Sequence, residues 1–150
     1  MKFIICDIDG TIAKLSQARL ECLEKKPIDW DTFNSLCFDD EPYEHVVDMI
    51  KNLSDSGEYE LIFCTGRSEE ARYDTQEWLD KHELRGHLIM RPKKNHGKDT
   101  SVKPQELLKY LRTRHLDFSD ISFILEDRNN VVAKWRDLGI PCFQVQEGDF

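Results

Sequence analysis

The stretch FIICDIDGT, residues 3–11, decides how the rest of the chain is read. Phe3 to Cys6 form a short, unbroken apolar run, the pattern of a strand buried on both faces. The run ends in two acids one residue apart, Asp7 and Asp9, followed at once by Gly10 and Thr11. A buried strand delivers whatever follows it to a fixed place at the edge of its sheet, so two carboxylates there have little positional freedom.

Four further apolar runs extend the pattern: LIFC at 61–64, HLIM at 87–90, ISFIL at 121–125 and CFQV at 142–145. Each predicts a strand buried on both faces. Helical spacing fills the intervals. EPYEHVVDMIKNLSDSG (41–57) places Val46, Val47, Ile50 and Leu53 on one face and closes on Gly57, and SEEARYDTQEWLDKHEL (68–84) opens on a capping Ser68. KPQELLKYLRTRH (103–115) and NNVVAKWRDLG (129–139) complete the series, the second stopping at Gly139 before Pro141. Such alternation predicts an α/β fold, with a parallel sheet built through crossovers and covered by helices on both faces. Ligands bind at the carboxyl ends of the strands in sheets of this kind, which is where Asp7 and Asp9 fall. Residues 12–42 break the alternation. They are too long for a turn and too apolar at Leu15, Leu20, Leu23, Trp30, Phe33 and Phe38 to be disordered, and they predict a small helical or mixed insertion over the active end of the sheet.

The 150 residues make a single domain, one that buries roughly 70% of its unfolded surface. A hydrophobic fraction of 39% with seven glycines and five prolines excludes disordered and fibrous classes. No apolar run reaches the roughly 20 residues that span a bilayer, and MKFIICDIDG turns acidic too early for a secretory leader, so the expectation is a soluble, cytoplasmic protein without a membrane partner. In a phage-encoded protein that compartment is the host cytoplasm. Five cysteines without a C-x-x-C pair are expected to be reduced and mostly buried. The net charge of −8 excludes a surface that grips nucleic acid indiscriminately, so any such substrate is held locally. The basic segment RPKKNHGK (91–98) reads either as a solvated loop or as a contributor to an anion site. There is no strong signal for an oligomer.

Polar groups recur at other strand ends. Thr65, Gly66 and Arg67 follow the second run, Glu126, Asp127 and Arg128 follow the fourth, and Lys103 opens the helix between the third and fourth, with Lys98 nearby. Clustered acids raise one another's pKa unless a cation lies among them. Mg²⁺ suits oxygen ligands, and Asp7 and Asp127 with a backbone carbonyl would hold it, the metal set being Asp7, Asp9 and Asp127. The Thr65 hydroxyl, the Gly66 N–H and the Lys103 ammonium would receive phosphate oxygens. The implied chemistry is phosphoryl transfer, with Asp7 as nucleophile and Asp9 moving protons to and from the leaving and attacking oxygens. Cys64 is no rival nucleophile, because Glu70 stands where a cysteine phosphatase needs its arginine. Trp78 and Trp135 read as core anchors. Trp30, in the insertion, reads either as packing or as a surface that stacks on a base.

DIDGT (7–11), TGR (65–67), Lys103 and EDR (126–128) resemble, in order, the four motifs of the haloacid dehalogenase superfamily of phosphohydrolases. DTSVK (99–103) and EDRNNVVAKWRDLGIPCFQVQEGDF (126–150) are similar to the 3′-phosphatase domain of bacteriophage polynucleotide kinase/phosphatase. The resemblance implies a three-layer Rossmann-like core with a small or absent cap and a Mg²⁺-dependent phosphomonoesterase that removes 3′-phosphates from nucleic-acid ends through an aspartyl-phosphate. It implies catalytic roles for Asp7, Asp9 and Lys103, and phosphate or substrate contacts for Thr65, Gly66, Arg67, Asp99, Arg128 and Arg19, with Asp99 supporting Lys103. Glu126 stands where the family more often has aspartate, and its role is open. No G-x-x-x-x-G-K-[ST] loop occurs, so the resemblance implies a phosphatase alone, working beside a separate kinase or ligase. Two rival readings remain: a nucleotidase acting on free 5′- or 3′-mononucleotides, and a non-catalytic module that senses phosphate.

Overall fold

The computed structural model describes all residues 1–150. Five strands, β1 (Lys2–Cys6), β4 (Tyr59–Ser68), β5 (His87–Arg91), β6 (Ile121–Arg128) and β7 (Cys142–Gly148), form one parallel sheet in the order β5-β4-β1-β6-β7. The expected strands are all present. Strand β1 is central, pairing Ile4 with Leu61 on one side and Ile5 with Ile124 on the other. The chain moves outward from β1 in both directions, and the crevice of an open sheet lies at that switch point.

Alternate residues of β1 enter different cores. Ile4 and Cys6 join Val46, Val47, Ile50, Leu61, Phe63, Trp78 and Leu79, beneath helices α3 (Glu44–Asp55) and α4 (Arg72–Lys81). Phe3 and Ile5 join Ile62, Cys64, Leu107, Leu111, Val131, Val132 and Trp135, beneath α5 (Asp99–Thr113) and α6 (Asn129–Asp137). The result is three layers, helices on each face of the sheet. Strand β7 departs from the expectation of burial on both faces: at the sheet edge its Phe143 is exposed, with the ring of Phe123 5.1 Å away.

Helix α5 also differs from its expected start. It begins at Asp99, four residues before Lys103, so Pro104 lies inside the second turn rather than the first. Proline fits most easily where the N–H is unused anyway, so it is a natural but misleading marker of a helix start. The earlier start places Asp99 and Lys103 one turn apart on the same helix.

Residues 12–42 are closed by a two-stranded antiparallel ribbon, β2 (Ala13–Lys14) with β3 (Glu41–Pro42). Between them lie α1 (Gln17–Glu24), α2 (Trp30–Ser35) and a 3₁₀ turn at Cys37–Asp39. Ser16 and Asp29 cap the two helices by accepting from the N–H groups of Arg19 and Thr32. The Trp78 indole N–H, fully buried, donates to the carbonyl of Asp40 at 2.8 Å and so ties the insertion to α4. All five cysteines are free and buried, and no helix is long and apolar enough to cross a membrane.

Trp78→Phe keeps most of the apolar volume but leaves the Asp40 carbonyl without its donor. The expected loss is about 1–3 kcal/mol in urea unfolding with an unchanged m-value.

Candidate active site

Asp7 leaves the central strand with its N–H donated to the carbonyl of Leu125, so its position is fixed by the β1/β6 pairing. Its Oδ1 accepts from Lys103 Nζ at 2.8 Å and its Oδ2 from Thr11 Oγ1 at 2.9 Å. The same ammonium donates to Glu126 Oε2 at 2.9 Å, and the other oxygen of Glu126 accepts from the N–H of Asp127. Asp7, Glu126 and Asp127 present carboxylate oxygens within 4.8 Å of one another, all buried. Glu126, whose role the sequence left open, is the second partner of the buried lysine.

Three acids share one cation, and the imbalance shows in their proton affinities. Burial, then the charge of Glu126, push the Asp7 carboxyl well above its ordinary range despite Lys103. Burial and Glu126 push Asp127 to about 7. Burial opposes the charge on Lys103, but Asp7 and Glu126 outweigh it and hold the ammonium well above its usual value. The chemistry of this donor set fits a further cation: the acids are under-neutralised and every candidate ligand atom is oxygen.

Asp9 is treated in the opposite way. Its carboxylate accepts from Arg67 Nη2 at 2.6 Å and Nε at 3.1 Å, and from Arg19 Nη1 at 2.8 Å. Burial works against its charge, yet Arg67 and Arg19 prevail and hold the carboxyl well below the usual range. Both arginines also pair with Asp40 from the insertion, whose carboxyl burial pushes to about 6. Arg67 Nη1 donates to Thr75 at 3.0 Å, and Arg19 Nε to the carbonyl of Phe33 at 2.9 Å. The two arginines therefore hold Asp9 in place, and its carboxylate is engaged with them rather than grouped with those of Asp7, Glu126 and Asp127.

Asp99 does not hydrogen-bond to Lys103. It accepts from Arg128 Nη1 at 2.9 Å and pairs with Arg91, while the Lys103 ammonium one turn on is taken by Asp7 and Glu126. Burial would raise its proton affinity, but Lys103, Arg91 and Arg128 together lower it. Arg91 was visible in the sequence only as the first residue of the basic segment. Here its Nε donates to the carbonyl of Gly66 at 3.0 Å and its Nη1 to that of Asn95 at 3.1 Å. Two glycines are required by these contacts. Gly10 has φ +81° and a side chain there would meet Asp127 Oδ2 at 2.0 Å; one at Gly66 would meet Asp99 Oδ1 at 2.6 Å. Cys64 is no nucleophile, since burial pushes its thiol up to about 12.

These groups open onto one cavity of about 720 Å³. Asp7, Asp9, Thr65, Gly66, Arg67, Asp99, Lys103, Asp127 and Arg128 all line it, together with Trp30 and Phe33 from α2 and residues 94–98 of the basic segment. Arg19 does not line it and acts from behind Asp9.

Haloacid dehalogenase-like hydrolases share this fold. One such protein from Streptococcus pneumoniae matches 96% of this chain and 84% of that one with a TM-score of 0.67, and at 16% identity the likeness is one of fold. Within that class, the polynucleotide kinase PNKP phosphatase domain profile matches residues 1–150, and the chain belongs to that family of phosphatases. Chains in two solved assemblies, the Pnkp1/Rnl/Hen1 complex and the Pnkp1/Rnl/Hen1 RNA repair complex, are 31% identical over 99% of this chain, with TM-scores of 0.76 and 0.75. This chain covers 47% and 43% of those chains. A protein of Autographa californica nuclear polyhedrosis virus, named as a bifunctional polynucleotide kinase/RNA ligase, is 28% identical over 140 residues, which is 92% of this chain and 18% of that protein. The chain thus spans less than half the length of each of these relatives.

The opposed carboxylates set the pH dependence of folding without metal. Asp127 and Asp40 hold protons in the folded state at pH values where the unfolded chain has lost them, so stability rises as pH falls from 7 toward 5. Asp9 has the reverse sign: its contribution is present above the unfolded carboxyl pKa of about 4 and is lost as the pH falls below it. Urea unfolding in EDTA should therefore show maximal stability between these limits, and Asp127→Asn should flatten the slope from pH 5 to 7.

Proposed function

We propose that this phosphatase removes 3′-phosphates from nucleic-acid ends, with Asp7 as nucleophile and Asp9 as the group that moves protons. The observation that carries the assignment of roles is the divergence of two carboxylates from one strand end. Asp7 is gripped at both oxygens by Lys103 and Thr11, whereas Asp9, two residues on, faces an arginine pair. Without a further cation these settings hold a proton on Asp7 and keep one off Asp9, so in this reading Asp7 is ionised for attack only when a cation sits among the acids.

In this reading an Asp7 oxygen attacks phosphorus, the bond to the nucleoside 3′-oxygen breaks, and that oxygen takes a proton from Asp9. Water then attacks the aspartyl-phosphate, gives its proton to Asp9 and releases inorganic phosphate, restoring Asp7. Asp9 must carry a proton for the first half. An anionic substrate adds negative charge beside it and draws on Arg67, which raises its proton affinity. The arginine grip then favours the carboxylate needed to receive the proton in the second half. Thr65, Gly66 and Lys103 lie at the strand ends where the phosphoryl oxygens would rest, and Lys103 offsets their developing charge. Asp99 serves by holding Arg91 and Arg128 at the rim of the cavity.

Mg²⁺ would be held by Asp7, Asp127 and the Asp9 carbonyl, where its charge would neutralise the clustered acids and polarise a phosphoryl oxygen. Support for nucleic acid as the substrate comes from the family match and from the named kinase/ligase and RNA repair contexts of the relatives. A separate kinase or ligase as working partner is part of the same proposal.

The test is phosphate release with Mg²⁺ from a 3′-phosphorylated oligonucleotide, its 5′-phosphorylated counterpart and a 5′-mononucleotide. The 3′ end should be preferred, Asp7→Asn should reduce release to background, and Asp9→Asn should slow it about 10²- to 10⁴-fold. Preference for the 5′-mononucleotide overturns the assignment.

A further inference from the structure

The catalytic floor accounts for the buried charges of the cavity but leaves two features of its walls unused: an exposed indole and a run of unpaired lysines. Trp30 opens α2 and is 44% exposed, although it lines the same cavity as Asp7 and Asp9. Isolated exposed apolar side chains are ordinary on a protein surface, but a tryptophan at the mouth of a reaction cavity is not isolated from function. Its setting is also braced. Its ring meets Phe33 edge-on with centroids 5.4 Å apart, and Phe33 in turn lies under the Arg19 guanidinium at 4.0 Å. Arg19 is the fully buried partner of Asp9, so a line of contacts runs from the proton-moving carboxylate to the exposed indole. The two rings meet at right angles, and with 44% of Trp30 exposed part of the indole stays open to a ligand.

The second feature is the loop between β5 and α5. Arg91 pins it from within by donating to the carbonyls of Asn95 and Gly97. Lys94 sits at φ +64°, a backbone region that residues other than glycine seldom occupy, so the loop is held in a strained form. Lys94 and Lys98 line the cavity, are exposed and take part in no ion pair. In a chain of net charge −8, two unpaired lysines beside a site that receives anions are suited to further phosphates.

We infer that Trp30 is a stacking platform for the base at the strand's 3′ end, and that Lys94 and Lys98 hold the phosphodiester that joins that nucleotide to the rest of the strand. The cavity of about 720 Å³ exceeds what a phosphate group fills and lies in the range of pockets that enclose a small organic ligand, roughly 300–1,000 Å³. Stacking tolerates any base, and the lysines read only backbone charge, so recognition is of a single-stranded end without sequence preference. The inference rests on the 3′-phosphatase reading and names the part of the chain that separates a polynucleotide from a mononucleotide.

The experiment compares kcat/KM for a 3′-phosphorylated hexanucleotide, a 3′-mononucleotide and glycerol 2-phosphate, which has no base. Trp30→Ala should lower the two nucleotide values by roughly 5- to 150-fold relative to glycerol 2-phosphate, the loss of one base–aromatic stack, and Trp30→Phe should restore most of it. Replacing Lys94 and Lys98 by Gln should lower the hexanucleotide value alone and flatten its salt dependence by about 0.7 in log–log slope per lysine. Equal losses on all three substrates after Trp30→Ala, or a nucleotide preference left intact by it, overturn the platform while the 3′-phosphatase reading stands. A lysine variant that slows the mononucleotide as much as the hexanucleotide overturns the backbone contact. A wild-type enzyme that does not distinguish nucleotides from glycerol 2-phosphate overturns the substrate reading and the platform together.

Discussion

The ammonium of Lys103 is the interaction on which this structure turns. Asp7, Glu126 and Asp127 are buried at the ends of two adjacent strands, and carboxylates placed so close cannot all ionise unless a positive charge lies among them. Lys103 reaches two of the three from helix α5 and is itself nearly inaccessible to water. Removing one member of such a buried set leaves uncompensated charge, at a cost of about 3–5 kcal/mol, so the lysine constrains the docking of α5 as firmly as the apolar contacts of Leu107 and Leu111 do. The phosphatase site is thus a structural joint before any substrate arrives, and the under-neutralised acids that remain are what makes it receptive to a cation.

The insertion between β2 and β3 enters the chemistry from behind. Arg19 and Asp40 contribute the outer half of the network around Asp9, while Arg67 and Thr75 contribute the inner half from β4 and α4. Asp9 therefore stands between two parts of the chain that are joined by these charges and by the hydrogen bond from Trp78 to the Asp40 carbonyl. Any shift of the insertion alters how many guanidinium groups face Asp9, and hence its readiness to give or accept a proton. An insertion of this kind covers Asp9 on one side and leaves the cavity open on the other.

The sheet was legible because its inner strands are buried on both faces, and continuous apolar runs identify such strands without reference to their neighbours; edge strand β7 carried the same apolar signal without that burial. The acids of β1 and β6, Lys103, and the Thr65-Gly66-Arg67 turn followed from asking what each strand delivers at its carboxyl end. Other features were hidden for physical reasons. The start of α5 was masked by Pro104, since proline marks a helix start only when its missing N–H falls in the first turn. Strands β2 and β3 are two residues each, too short for any periodicity. Asp40, Thr75 and Thr11 became meaningful only through partners distant in sequence, or through a turn geometry that composition does not report. Arg91 lay in plain view inside a basic segment, but a list of charges does not show which of them turns inward to hold a loop and which remains free.

That difference between inward arginines and outward lysines organises the cavity walls. Arg19 holds the carbonyl of Phe33 and so sets α2, while Arg91 holds the carbonyls of Asn95 and Gly97 and so sets the loop before α5. Each of these arginines is anchored at its other donors by an acid of the site, Asp9 and Asp40 for the first and Asp99 for the second. The shape of the opening is accordingly dictated from the inside outward, by the same charges that arrange the reacting groups. A change in the acids would be transmitted to the walls, and a ligand held between the walls would in turn bias the arginines that face Asp9. The groups that shape the opening and those that set the charge state of Asp9 thus belong to one electrostatic framework, many of whose charged members are buried.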